Sequence, residues 1–172
     1  YNVIIENMLK DVEVELGVDF FANRQELEAS AEKVVFTGMI DQYFDYKHGE
    51  LEYRSLRFEH EVLDEENYQG NAVVNYTERE IPYTRIIEHK HFEYGTQDKT
   101  VITREYPADW KRGDEPYYPI NDERNNAMFA KYQEEAAQND KVIFCGRLAD
   151  YKYYDMHVVI ERALNVVEEE LG

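Results

Sequence analysis

One cysteine, Cys145, stands among 172 residues. A single thiol excludes an internal disulfide and fits a reducing compartment. Basic residues are also in deficit: 19 Lys and Arg face 37 Asp and Glu, for a net charge of −18 and a pI near 4.6. That mean field repels phosphate, which argues against general binding to nucleic acid or to an anionic membrane. An anionic ligand therefore needs locally placed arginines, so individual arginines become the residues to examine. No apolar run approaches membrane-spanning length and nothing at the start resembles a signal peptide, so the expectation is a cytoplasmic chain with no membrane partner. No G-x-G-x-x-G, P-loop or G-x-S-x-G pattern occurs. A dinucleotide site built wholly from these residues is thereby excluded.

What is present is globular in texture: 43% hydrophobic and 33% charged residues, enough for one full domain or pieces of two. Tyrosine is abundant, 15 in all. Its flat apolar ring and polar tip suit polar-ligand sites, but half-exposed strand positions use it as readily. The first residue is Tyr1 rather than Met, and "YNVIIENMLK" already has helical spacing at Ile4, Ile5, Met8 and Leu9 with no cap before it. The expectation is a chain that starts inside a helix and forms the latter part of a longer protein.

Residues 1–45 read as helix, strand and connector. "VEVELGVDF" alternates Val12, Val14, Leu16, Val18 and Phe20 and predicts a strand. "NRQELEASAEK" predicts a short polar helix, and "KVVFTGMI" a buried strand. Residues 46–118 change texture. "LEYRSLRFEHEVL", "NAVVNYTE", "YTRIIEHKHFEY" and "KTVITREYP" predict four strands of an antiparallel meander. The stretch around Pro107, Pro116 and Pro119 predicts the exit from that sheet. Residues 119–172 return to helix, strand and helix, with Asn121 or Asp122 as a cap and Met156, Val159, Ile160, Ala163, Val167 and Leu171 on one face of the last helix. The fold class is thus α+β: an antiparallel sheet domain flanked by segments of an α/β layer.

No metal constellation stands out, because His48, His60, His89, His91 and His157 lack partners at ligand spacing. Cys145, in an apolar strand with no base beside it, reads as core. What remains are arginines and tyrosines at strand ends. Alternation puts Arg85, Ile87, His89 and His91 on one face, and an arginine fork can grip a diphosphate at two points; a cross-strand ion pair would explain Arg85 equally. Tyr117 and Tyr118 lie between prolines that stiffen them, or simply pack a turn. "VIFCGRLADYKYYDM" runs a strand into Gly146 and Arg147, then into Tyr153, Tyr154 and Asp155 before a helix. Gly146 permits close backbone approach, ligands gather at the carboxyl ends of strands, and Asp155 can cap a helix whose amino end attracts anions.

The strings "TGMIDQYFDYKHGELEYRSLRFE", "GNAVVNYTEREIPYTRIIEHKHF", "TVITREYP", "GDEPYYPIND" and "GRLADYKYYDM", in this order, closely resemble the bacterial type of the UDP-galactopyranose mutase family. The resemblance implies an isomerase of cell-wall polysaccharide biosynthesis that interconverts UDP-galactopyranose and UDP-galactofuranose on reduced FAD, through a bond between flavin N5 and the sugar. It implies a Rossmann-like FAD domain completed by the flanking segments, and a homodimeric parent. By resemblance, Arg85 clamps the diphosphate and stabilises the departing UDP, Tyr118 and Tyr153 bond the diphosphate, and Asn75 lies near the nucleotide. Gly146, Arg147, Tyr154, Asp155 and Met156 fall in the flavin-contact motif, with Asp155 also near the sugar. The catalytic set so implied is Arg85, Tyr118, Tyr153 and Asp155. The family's amino-terminal Gly-rich flavin fingerprint, helical domain, mobile lid, uridine-holding aromatics and second diphosphate arginine have no counterpart here, so this stretch alone is expected to be inactive. A binding module without chemistry and a purely structural unit are the competing expectations.

Overall fold

The computed structural model describes residues 2–172; Tyr1 lies outside the described residues. Two sheets organise the chain. The larger has five antiparallel strands in the order β3-β4-β5-β2-β6, where β2 is Tyr53–Leu63, β3 Val73–Asn75, β4 Arg85–Glu88, β5 Thr100–Asp109 and β6 Tyr118–Pro119. The smaller is a parallel ladder of β1, Val34–Phe36, with β7, Val142–Phe144. Among the described residues there are five α-helices: α1 Asn2–Met8, α2 Phe20–Ser30, α3 Ile40–Tyr43, α4 Glu123–Ala136 and α5 Met156–Leu171. The class is α+β, as the alternation of textures predicts.

The meander holds only for β3, β4 and β5. The first strand, β2, pairs with β5, from Arg54 opposite Asp109 to Leu63 opposite Thr100, which gives β2 to β5 a Greek-key order. Sheet exit also comes later than Pro107. Arg54 O accepts from Tyr117 N, so even-numbered residues of β2 direct their polar groups away from β5. Leu56 opposite Pro107 is one of these, and the missing proline N–H removes no bond from that ladder.

Four further expectations are corrected. Residues 12–18 form no strand; Val12, Val14, Leu16 and Val18 are exposed, and Gly17 turns the backbone at φ +73°. Alternation without a neighbouring strand to pair with does not make a strand. The polar helix starts earlier, at Phe20, because the Asp19 carboxylate accepts from Ala22 N at 2.7 Å. His89 and His91 leave the strand in a 3₁₀ turn over His89–Phe92, so they do not continue the face of Arg85. Finally, α5 docks through a face rotated from the predicted one, on which Val159 is half-buried as expected. Val166 is buried, whereas Met156, Ile160, Val167 and Leu171 are exposed.

One core joins all three regions of the chain: Ile40, Leu51 and Tyr53 pack with Phe129, Tyr132 and Tyr151. The Tyr151 hydroxyl ties them further. It donates within reach of Glu52 O at 2.5 Å and Ile120 O at 3.0 Å, and accepts from Ile120 N at 3.2 Å. Helix α4 begins where Asp122 accepts from Asn125 N at 2.7 Å, so of the two predicted caps Asp122 serves.

Candidate functional site

Register decides which side chains share a face. Asn75 lies opposite Arg85, Arg85 opposite Glu105, and Glu105 opposite Phe58. Four residues before Phe58 on the same face of β2 comes Arg54, itself opposite Tyr118 of β6. One sheet face therefore carries Asn75, Arg85 and Glu105 at one end and Arg54 with Tyr118 at the other. The ends are separated by roughly 13 Å along the strands and roughly 14 Å across them.

At the first end, Arg85 Nε donates to Asn75 Oδ1 at 3.0 Å, and Arg85 Nη1 stands 3.7 Å from Glu105 Oε2. The arginine side chain is 40% exposed while that of Glu105 is 10% exposed. A cation thus faces outward, anchored on a buried carboxylate. Thr84 fixes the strand end, its N–H donating to Glu105 O at 2.9 Å.

At the second end, the Tyr118 and Tyr153 rings lie 5.5 Å apart, tilted by 32°. Arg147 places its guanidinium 4.9 Å from the Tyr153 ring centre and donates from Nη2 to Tyr117 O at 2.7 Å. Arginine over tyrosine is an attractive pairing. A hydrogen bond to the Asp155 carboxylate pushes the Tyr153 phenol's pKa up, so Tyr153 stays protonated. Two clefts open here, of about 600 Å³ and about 580 Å³, and both are lined by Arg54 and Tyr118. Thr84, Glu105 and Asp109 line the first; Tyr153 and Asn121 line the second.

The remaining expected residues form a separate group around the start of α5. Gly146 has φ +97°, in the region that favours glycine. Its N–H donates to Asp150 Oδ2 at 3.2 Å, which the Tyr154 hydroxyl also reaches at 3.2 Å and Arg162 Nε at 3.3 Å. Burial pushes the Tyr154 phenol upward. Tyr154 is thus committed to the protein. Asp155 stands at the N-cap position of α5 but its side chain makes no capping bond, which corrects that expectation. The extended Asp155 backbone still starts the helix, with Val159 N donating to Asp155 O at 3.0 Å. Met156 follows, exposed.

Arg54 and Glu105 are the site residues that sequence reasoning passes over. Both lie in alternating strands full of charge, and only the register shows that one joins Tyr118 and the other underlies Arg85. The ion pairs found among the described residues use neither Arg54 nor Arg147. In a chain of net charge −18, two arginines outside any ion pair thus stand beside the tyrosine pair, among the carboxylates of Glu105, Asp109, Asp122 and Asp155.

Residues 1–153 match the family model described as UDP-galactopyranose mutase. A dTDP-fucopyranose mutase of Escherichia coli is 34% identical over 98% of this chain and 46% of its own length. A probable UDP-galactopyranose mutase of Klebsiella pneumoniae is 36% identical over 95% of this chain and 42% of its own length. A UDP-galactopyranose mutase of Mycoplasma pneumoniae is 38% identical over 80% of this chain and 36% of its own. The chain spans less than half the length of these curated relatives. With a family match that runs through β1 to β7 and takes in both ends of the arginine-bearing sheet face, the chain belongs to the UDP-galactopyranose mutase family.

Proposed function

We propose that these residues form the nucleotide-sugar-binding part of a flavin-dependent mutase that interconverts UDP-galactopyranose and UDP-galactofuranose. The observation that carries the reading is the single sheet face that sets the outward Arg85 guanidinium at one end and Arg54, Tyr118 and Tyr153 at the other. A diphosphate laid between the two ends, within side-chain reach of both, would carry a sugar on one side and a nucleoside on the other. The relatives named for UDP-galactopyranose and for dTDP-fucopyranose share a nucleoside diphosphate hexose as substrate class. Arg85 holds the diphosphate and stabilises its negative charge as the sugar bond breaks. Tyr118 and Tyr153 donate hydroxyl bonds to phosphate oxygens, and their stacking fixes where those donors sit.

FAD is the cofactor the family implies. The donor set at the start of α5 fits the carbonyl edge of a flavin: the first amides of a 16-residue helix with no side-chain cap, next to Arg147 and the exposed Met156. Gly146, with its open backbone, lets a ring approach closely. When bound and reduced, the flavin supplies a nucleophilic nitrogen, which spares the protein from providing one. Asp155, at the start of α5 beside Tyr153, faces the sugar in this reading.

In this reading residues 46–118 are the substrate side, and residues 1–45 and 119–172 complete a Rossmann-like FAD domain. The two-stranded parallel ladder with Val35 exposed, and the uncovered apolar faces of α1 and α5, support further layers in the parent, a homodimer. Calorimetric titration with UDP and with dTDP tests the binding claim. Saturable heat that is lost in Arg85→Ala supports it, and the absence of heat with both nucleotides refutes it. Assay with dithionite-reduced FAD and UDP-galactofuranose tests the division of labour: no turnover is expected from these 172 residues, and turnover overturns it. The second reading is an isolated sheet module that binds UDP-sugar or diphosphate weakly and performs no catalysis, favoured by the Asn75–Arg85–Glu105 row lying wholly within the sheet.

A further inference from the structure

The arrangement around Arg85 points to a role for two of its neighbours beyond contact with any ligand: we propose that Asn75 and Glu105 are positioning residues that fix the Arg85 guanidinium, leaving its Nη2 end for the diphosphate. This rests on the reading of the sheet face as a nucleotide-sugar site. A guanidinium has five N–H donors in a rigid plane. Asn75 takes Nε–H at 3.0 Å, and Glu105 draws Nη1 toward itself at 3.7 Å. The hydrogen bonds of the described residues leave Nη2 unused. Anchors at two different nitrogens of a planar group determine its plane, so Nη2 is presented in one orientation.

Burial gives the anchor its strength. Glu105 is 8% exposed, and Arg85 is its only charged partner within 4 Å among the described residues. A buried carboxylate without a counter-charge is costly, so swinging the arginine away is opposed by the carboxylate left behind. The Thr84 hydroxyl, 3.5 Å from Glu105 Oε1, holds the second oxygen. Asn75 belongs to this set by geometry: its side-chain oxygen is directed to the arginine. The three residues sit on three adjacent strands in direct register, Asn75 opposite Arg85 opposite Glu105, so the alignment is built into the sheet. Neither Asn75 nor Glu105 needs to touch the ligand.

Side-chain ¹⁵N NMR of the protein reads this directly. The Arg85 Nε–H resonance, identified by its disappearance in Arg85→Lys, is expected to be as rigid as the β4 backbone in the wild type and mobile in Asn75→Ala and Glu105→Gln. A mobile Nε–H in the wild type, or rigidity unchanged in both variants, overturns the proposal. A double-mutant cycle with UDP supplies the second readout. Each variant is expected to weaken UDP binding about tenfold when Arg85 is present and to have little further effect in the Arg85→Lys background, where the planar group to be positioned is gone and weakened binding is still measurable. Additive losses show that Asn75 or Glu105 contacts the nucleotide itself and also overturn it. A rigid Arg85 in a protein that binds no UDP counts against the nucleotide-sugar reading while leaving the positioning intact.

Discussion

At the scale of single residues, a few polar groups carry consequences out of proportion to their number. Glu88 is fully buried. Burial pushes its carboxyl up, yet the amides of Tyr68 and Gln69, the Thr100 hydroxyl and the His91 ring together pull it down from 4.5 to about 2. A carboxyl with a depressed folded-state pKa stabilises the fold above its unfolded value, and that contribution is lost as pH falls toward the folded value. Urea unfolding followed from pH 6 downward should therefore show stability declining between about 4.5 and about 2, with a flatter profile in Glu88→Gln. That variant should itself cost about 1–3 kcal/mol at neutral pH, because two part-buried amides lose a charged acceptor. Arg85 makes a parallel case for function. Arg85→Lys keeps the charge but loses both the Nε bond to Asn75 and the planar fork, so UDP affinity should drop at least about tenfold; equal affinity would mean that bulk charge alone attracts the nucleotide.

At the scale of elements, the position of each segment follows from a small number of ties. The loop before α5 is held by the Tyr151 hydroxyl, which joins three separate stretches of chain near Glu52 and Ile120. Tyr151→Phe keeps the ring in the core and removes those bonds, so it should cost about 1–3 kcal/mol in thermal or urea unfolding. Helix α5 supplies a test of orientation. Val166→Ala should cost about 1–3 kcal/mol because Val166 is buried. Ile160→Lys should stay within about 0.5 kcal/mol because Ile160 is 58% exposed.

The same helix shows where sequence reasoning succeeds and where it stops. Periodicity locates α5, the capping residue Asp122 locates α4, and alternation locates β2 and β5, since all of these signals are local. The buried face of α5, the pairing of β2 with β5 and the joining of Asn75, Arg85 and Glu105 are long-range. Period-two alternation at Val12 to Val18 is present without a strand, because a strand exists only in the company of another. Of the site, Arg85, Tyr118, Tyr153 and Arg147 are legible through the family resemblance. Arg54 and Glu105 are not, because charged residues in alternating strands look alike until register sets them against a partner.

At the scale of the whole molecule, an acidic chain of net charge −18 sets Arg54 and Arg85 on one face of its larger sheet and leaves apolar faces on α1 and α5 uncovered. Charge segregation of that kind favours a compact anionic ligand over an extended polyanion. The most direct measurement is a ¹⁵N–¹H NMR titration of the protein with UDP-galactose. The account predicts saturable shifts confined to the neighbourhoods of Arg54, Arg85, Glu105, Tyr118 and Tyr153, and their loss in Arg85→Ala. Saturable shifts centred elsewhere, such as the cleft near Lys47 and Gln138, or shifts that persist in Arg85→Ala, would contradict it.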